Sequence, residues 1–297
     1  MDDKELLFDE AFLRKLDRLA IAARRAMAGT MQGERRSRKR GQSVEFADFR
    51  PYAPGDDFRR IDWNAYARLE RFFLKLFVEE EDLTVHLLVD TSRSMDWGEP
   101  NKLRYALKAA GALGYVALGG LDRVTVTALG GGERSPLSYF APRRGKQQAA
   151  ALFAFLQRLA VGGYTPLGPR LRAYAAESVQ PGPLLLLSDL LDEDWANGLR
   201  ALAARGFEVS VLHVLAPDEV SPELAGDLRL VDVETGAGVD ITADYDLVRR
   251  YQDGLAAWRE ELRLFCGARG MHYAAIETSV PFDELLFAVL RIRGVLR

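Results

Sequence analysis

The chain has 297 residues, with 40 Lys plus Arg against 43 Asp plus Glu, a formal net charge of −3. Apolar residues make up 48% and charged residues 28%, which excludes a disordered or fibrous chain, and the near-balanced charge argues against a surface coated for nucleic acid. A chain of this length buries roughly 75% of its unfolded surface without staples, and one large domain plus an appendage fits better than two equal domains.

A single cysteine, Cys266, can form neither an internal disulfide nor a thiolate metal cage, which fits a reducing compartment. The beginning, Met1-Asp2-Asp3-Lys4-Glu5, is acidic where an export signal is basic, and the first apolar stretch, residues 19–23, is too short for one. The longest weakly polar run, residues 109–121, is shorter than the ~20 residues of a membrane span. A soluble, cytoplasmic protein without a membrane partner is expected.

Residues 9–30 read as an amphipathic helix with Phe12, Leu16, Leu19, Ala20, Ala23 and Met27 on one face. The basic run Arg35–Arg40, bracketed by Gly33 and Gly41, reads as a solvated loop in preference to a nucleic-acid grip, because no aromatic interleaves it. Residues 44–70 read as an irregular but packed appendage rich in aromatics, broken by Pro51 and the turn Pro54-Gly55-Asp56-Asp57. Asp56, Asp57, Arg59, Arg60 and Asp62 are expected to form an ion-pair network within it.

From residue 71 the pattern changes. Residues 72–78 alternate as a half-buried strand, and apolar strands follow at 84–89, 124–128, 184–187, 209–214 and 273–276. Helical patterns separate most of them, at 102–118, 146–159, 167–178, 195–204 and 245–266. Apolar strands alternating with amphipathic helices predict an α/β fold, a doubly wound, mainly parallel and Rossmann-like sheet covered on both faces. A weaker strand pair, 228–233 and 239–241 around Gly236 and Gly238, predicts a hairpin inserted near 226–242. The expected division is residues 1–70 as appendage and 71–297 as the α/β domain.

Ligands of open α/β sheets bind beyond the carboxyl ends of the strands, at the switch point. After one apolar strand stands Asp90-Thr91-Ser92-Arg93-Ser94, after another Ser188-Asp189, and between helices Gly162-Gly163-Tyr164-Thr165. Two carboxylates and several hydroxyls, without His or Cys, favour Mg²⁺, Mn²⁺ or Ca²⁺ over zinc or copper. Ser92 and Ser94 would present their hydroxyls to one ion, Asp90 and Asp189 would balance its charge, and Thr165 would close the shell. Such a site leaves a position for an outside oxygen, most simply a partner's carboxylate.

The set Asp90, Ser92, Ser94, Thr165 and Asp189 resembles the metal-ion-dependent adhesion site of von Willebrand factor A domains. Tyr164 stands where those domains commonly place glycine, and Arg93 also occupies a frequent glycine position. Upstream, residues 41–52 (GQSVEFADFRPY) and 54–63 (PGDDFRRIDW) resemble the domain of unknown function 58 family. That resemblance implies a von Willebrand factor A-like domain and a non-enzymatic adaptor or co-chaperone. It also implies partnership with a MoxR-type AAA+ ATPase and its client, through a metal-bridged carboxylate.

Plainer readings compete. Asp90, Ser92 and Ser94 could cap the following helix. Asp192, Glu193 and Asp194 read as a solvated acidic loop, and His86 and His213 as satisfied buried imidazoles. The stripe Leu247, Tyr251, Leu255, Trp258, Leu262 and Phe265 reads as core. The alternative function is a Mg²⁺-dependent phosphohydrolase with Asp90 as nucleophile. It would want an acid–base carboxylate two positions on, where Ser92 stands.

Overall fold

The computed structural model describes residues 7–10, 12–17, 44–53, 56, 58, 61–79, 83–131, 137–177, 180–234, 236–281 and 284. It comprises two compact units, residues 31–82 and the remainder of the chain. In the smaller unit, β1 (Val44–Pro51) pairs antiparallel with β2 (Phe73–Glu79), with a register irregularity between Phe46 and Asp48. Between them lies α1 (Trp63–Leu69), whose first turn is capped by Asp62 accepting from the amides of Asn64 and Ala65. Aromatic rings pack this unit. Tyr66 stacks on Phe72 with centroids 4.4 Å apart, and Trp63 meets both edge-on. Arg50 forks onto Asp56 at 2.6–2.8 Å.

The expected boundary at residue 70/71 therefore moves. The alternating strand at 73–79 belongs with β1 in the smaller unit, because its partner strand comes from upstream. The expected ion-pair network is also redrawn. Asp56 pairs with Arg50 and Asp62 is a helix cap, while Asp57, Arg59 and Arg60 lie outside the described residues. Of the expected helix 9–30, residues 10 and 12–17 are helical, and residues 11 and 18–30, like the basic run 35–40, fall outside the described residues.

The larger unit is built on six strands. They are β3 (Thr84–Val89), β4 (Arg123–Ala128), β5 (Ser138–Arg144), β6 (Pro183–Ser188), β7 (Glu208–Leu215) and, after the β8–β9 hairpin, β10 (His272–Glu277). Their order is β10-β7-β6-β3-β4-β5, parallel throughout except for β5, which runs antiparallel to β4 at the edge. Strands alternate their apolar side chains between two layers. Val85, Leu87 and Val89 face α2 (Lys102–Gly119), α3 (Ala149–Arg158) and the N-terminal residues Leu7, Phe12 and Leu16. Leu88, Leu184, Leu186, Val209 and Val211 face α4 (Leu167–Glu177), α5 (Trp195–Arg205) and α7 (Tyr245–Gly267). Each fully buried leucine contributes about 1.5–3 kcal/mol, so both helical layers are held by the sheet.

The expected doubly wound, mainly parallel α/β fold is the observed one. A short α6 (Pro217–Val220) follows β7, and the hairpin is formed by β8 (Gly226–Val231) and β9 (Gly238–Ala243), outside the main sheet. Strand β5 had no counterpart in the sequence reading: it buries only Phe140 and carries Pro142, Arg143 and Arg144. His86 and His213 are buried, each with Nδ1 2.7 Å from a tyrosine hydroxyl, of Tyr174 and Tyr273 respectively. Burial pushes the Cys266 thiol up to about 11, so it packs as an apolar group.

Candidate functional site

Chain direction places the site. From β3 the chain crosses to β4 on one side, and β6 lies on the other, so β3 and β6 flank the switch point. Asp90 and Asp189 are the first residues beyond these two neighbouring strands, and the Asp90 amide donates to the Leu187 carbonyl at 2.9 Å. The Asp90 carboxylate is held at both oxygens. Oδ1 accepts from the Ser92 amide at 2.9 Å, and Oδ2 accepts from the Ser188 hydroxyl at 2.6 Å. Ser188 Oγ in turn accepts from the Leu190 amide at 2.9 Å.

Ser92 Oγ and Ser94 Oγ lie 2.9 Å apart, while Arg93 between them is exposed. Thr91, by contrast, is buried like Asp90 and Ser92. The loop before α4 docks on this one: the Arg93 amide donates to the Gly163 carbonyl at 3.1 Å, and the Gly162 amide to the Thr91 carbonyl at 2.7 Å. Gly162 is required for that approach, because a Cβ there would lie 2.7–2.9 Å from the backbone of Gly130 and Gly131. Gly163 then turns through φ +84°, which brings in Tyr164 and Thr165. Thr165 is 4% exposed and its hydroxyl has no hydrogen-bond partner.

Helix capping accounts for none of these groups. Helix α2 is capped by Asn101, whose side chain accepts from the Arg104 amide. The first amide of α4, that of Leu167, donates to Asp192 Oδ2 at 2.7 Å. Asp192 is therefore half-buried and structural, not part of a solvated acidic loop, and Asp194 pairs with Arg172. Ser92, Ser94 and Thr165 keep their hydroxyls for other work.

Charge at the site is dense. Burial, then the neighbouring Asp189 charge, pushes Asp90 up to about 6, against the lowering effect of its hydrogen bonds to Ser188 and Ser92. The wholly buried Lys102 ammonium donates to Asp189 Oδ2 at 2.8 Å and to Glu219 Oε1 at 2.5 Å. Burial works against its charge, but those two carboxylates hold it above the usual lysine value. Glu219 also accepts from the Ala216 amide through its other oxygen. Glu234, from the hairpin turn, accepts from the Ser94 amide at 3.3 Å, and burial raises its carboxyl.

Ser188 was noted in the sequence beside Asp189 without a role of its own, and Lys102, Glu219 and Glu234 were not singled out. Ser188, a polar residue ending an apolar strand, carried a usable signal, whereas the other three lie far along the chain from their partners. Among the described residues no three His, Cys, Asp or Glu side chains converge on a common point. An ion bound here would depend on hydroxyls together with the two aspartates, and the orphaned Thr165 hydroxyl fits that donor set. Around the charged centre, the loops expose Trp97 (52%), Tyr164 (55%) and Leu191 (60%).

Over its whole length the chain is 27% identical to the uncharacterized protein Rv1480 of Mycobacterium tuberculosis, covering 93% of it. The uncharacterized protein Mb1516 of Mycobacterium bovis matches to the same extent. Among solved structures, a conserved hypothetical protein BatB from Bacteroides thetaiotaomicron is similar over 71% of this chain and 97% of its own, at 16% identity and TM-score 0.40. A von Willebrand factor type A protein from Catenulispora acidiphila is similar over 72% of this chain and 43% of its own, at 18% identity and TM-score 0.41. The strand order described above, more than these likenesses, defines the fold. No described helix is long and apolar enough to cross a membrane. Residues 48–261, well over half of the chain, match the family described as protein of unknown function DUF58, and the chain belongs to that family.

Proposed function

We propose that this protein is a metal-dependent protein-interaction module, not an enzyme. In this reading Asp90, Ser92, Ser94, Thr165 and Asp189 hold Mg²⁺, or Mn²⁺ or Ca²⁺ in its place, and the ion accepts a carboxylate from a partner. The observation that carries it is the buried, unpartnered Thr165 hydroxyl on a loop bonded to the Asp90–Ser94 loop. A buried hydroxyl without a partner costs roughly 1–3 kcal/mol, and a cation would offset that. Asp189 and Glu219 share the Lys102 ammonium and Asp90 stands beside Asp189, so the local charge also favours a divalent cation. The exposed Trp97, Tyr164 and Leu191 supply an apolar rim of the kind protein interfaces use.

The partner is a MoxR-type AAA+ ATPase together with its client, for which this chain acts as adaptor or co-chaperone. That part rests on the family resemblance of residues 41–63. The phosphohydrolase reading is disfavoured, because Asp90 is buried and both its oxygens already accept hydrogen bonds. Titration calorimetry with Mg²⁺ and Mn²⁺ tests the site. Wild type should give saturable heats that Ser92→Ala/Ser94→Ala loses, and equal null heats from both would remove the premise. Co-purification with a MoxR-type ATPase should require Mg²⁺ and should weaken in Asp90→Ala, with the fold checked by circular dichroism.

A further inference from the structure

The β8–β9 hairpin stands outside the main sheet, and most of its residues are exposed. Its turn nevertheless reaches the candidate site. Glu234 Oε1 accepts from the Ser94 amide at 3.3 Å, across 140 residues of sequence. Glu234 is half-buried, whereas Val231, Asp232, Val233 and Gly236 around it are exposed. The turn is internally bonded: the Glu234 amide donates to Asp232 Oδ1 at 2.8 Å, the Asp232 amide to the Ala237 carbonyl at 2.8 Å, and the Gly236 amide to the Asp232 carbonyl at 2.8 Å. The carboxylate is therefore presented by an ordered turn, directly after the exposed Val233.

We propose that Glu234 is an internal carboxylate ligand of the site, occupying the place that a partner's carboxylate takes. This deepens the metal-bridged reading above and rests on it. Asp189 and Glu219 already share Lys102, and the Asp189 charge acts on Glu234, so a further carboxylate beside Ser94 meets repulsion that a cation offsets. Seating of the hairpin is thus linked to metal occupancy. A tethered ligand acts at an effective concentration of about millimolar, so a partner displaces it only by binding better than a free carboxylate would. The partner segment that succeeds resembles the turn itself: an acidic side chain directly after an apolar one, as Glu234 follows Val233, on an exposed turn.

The full chain and Mn²⁺ as probe test this. Free Mn²⁺ is read by electron paramagnetic resonance, water on the bound ion by proton relaxivity, and residues 232–237 by hydrogen exchange with and without Mn²⁺. Glu234→Gln should weaken Mn²⁺ binding by at least about ten-fold, since loss of a direct ligand costs no less than loss of an outer-shell partner. It should also raise the relaxivity of the bound ion, as water enters the vacated place. In wild type the turn should gain protection when Mn²⁺ is added, and in Glu234→Gln it should not. If Glu234→Gln matches wild type in affinity and relaxivity while Ser92→Ala/Ser94→Ala loses binding, the internal ligand is overturned and the metal site stands. If wild type binds no Mn²⁺, or the double serine variant binds it equally well, both fall together.

Discussion

Lys102 is the residue on which the site's electrostatics turn. Its side chain is 0% exposed, and its ammonium lies between Asp189 and Glu219. Stripping water from an ammonium is costly, and two carboxylates at hydrogen-bond distance offset that cost. Removing the amine leaves Asp189 buried beside Asp90 without a counter-charge. Lys102→Met should therefore lower stability by about 3–5 kcal/mol in the presence of chelator, measured by urea unfolding at pH 7.5. Millimolar Mg²⁺ should restore part of the loss, since a divalent cation supplies the missing charge. An identical loss with and without Mg²⁺ would count against a cation beside Asp189. None of this was visible in the one-dimensional pattern, where Lys102 only opens a helix. Its partners come 87 and 117 residues later. Asp90, Ser92, Ser94 and Asp189 were legible for the opposite reason. Asp90 and Asp189 follow directly on apolar strands and the two serines come within a few residues of one, so the sheet fixes their positions without knowledge of any distant contact.

At the scale of elements, the site is an assembly of three loops that backbone contacts lock together. The loop before α4 lies against both the Asp90–Ser94 loop and the Gly130–Gly131 backbone, with no room for a side chain at residue 162. Gly162→Ala should force the loops apart, destabilising the fold by about 1–3 kcal/mol through overpacking. It should also reduce Mn²⁺ affinity, because Thr165 is carried on the displaced loop. Thermal unfolding and a Mn²⁺ titration of the same variant check both effects, and unchanged metal affinity would separate Thr165 from the site. The elements that the sequence pattern predicted share a property: β3, β6 and β7 are buried on both faces and read as continuous apolar runs. Two of those it missed bury little. Helix α1 has seven residues and none of them is buried, so no apolar stripe marks it. Strand β5 buries one side chain of seven.

For the molecule as a whole, the strand alternation was enough to predict a sheet covered on both faces, but it misplaced the boundary between the units. Residues 73–79 look the same in sequence whichever strand they join, and only their pairing with β1 assigns them. Global stability should also carry a pH signature. Burial depresses both His86 and His213 to about 4, while in the unfolded chain each titrates near its ordinary value of ~6.5. Between these values the unfolded chain binds more protons, so stability is fullest above pH ~6.5 and falls as the pH drops toward ~4. The effect reaches about 3 kcal/mol per histidine. Asp90 acts in the opposite sense, because its raised folded value lets the native state hold a proton that the unfolded chain releases. With two histidines against one aspartate, urea midpoints should decline from pH 7.5 to 5.5. His86→Gln/His213→Gln should flatten that decline, and a midpoint that rises on acidification would contradict it.

The outer strand β5 also bears on how this protein meets others. A sheet margin with free amides invites another polypeptide to add itself as a further strand. Here the margin carries Pro142, which has no amide hydrogen, followed by Arg143 and Arg144, and the ladder to β4 is irregular between Val124 and Val126. Strand addition on that side is blocked by composition and by geometry alike. Neither runaway stacking of copies nor capture of an extended peptide finds a template there. The same edge chemistry disfavours edge-to-edge association of copies of the chain.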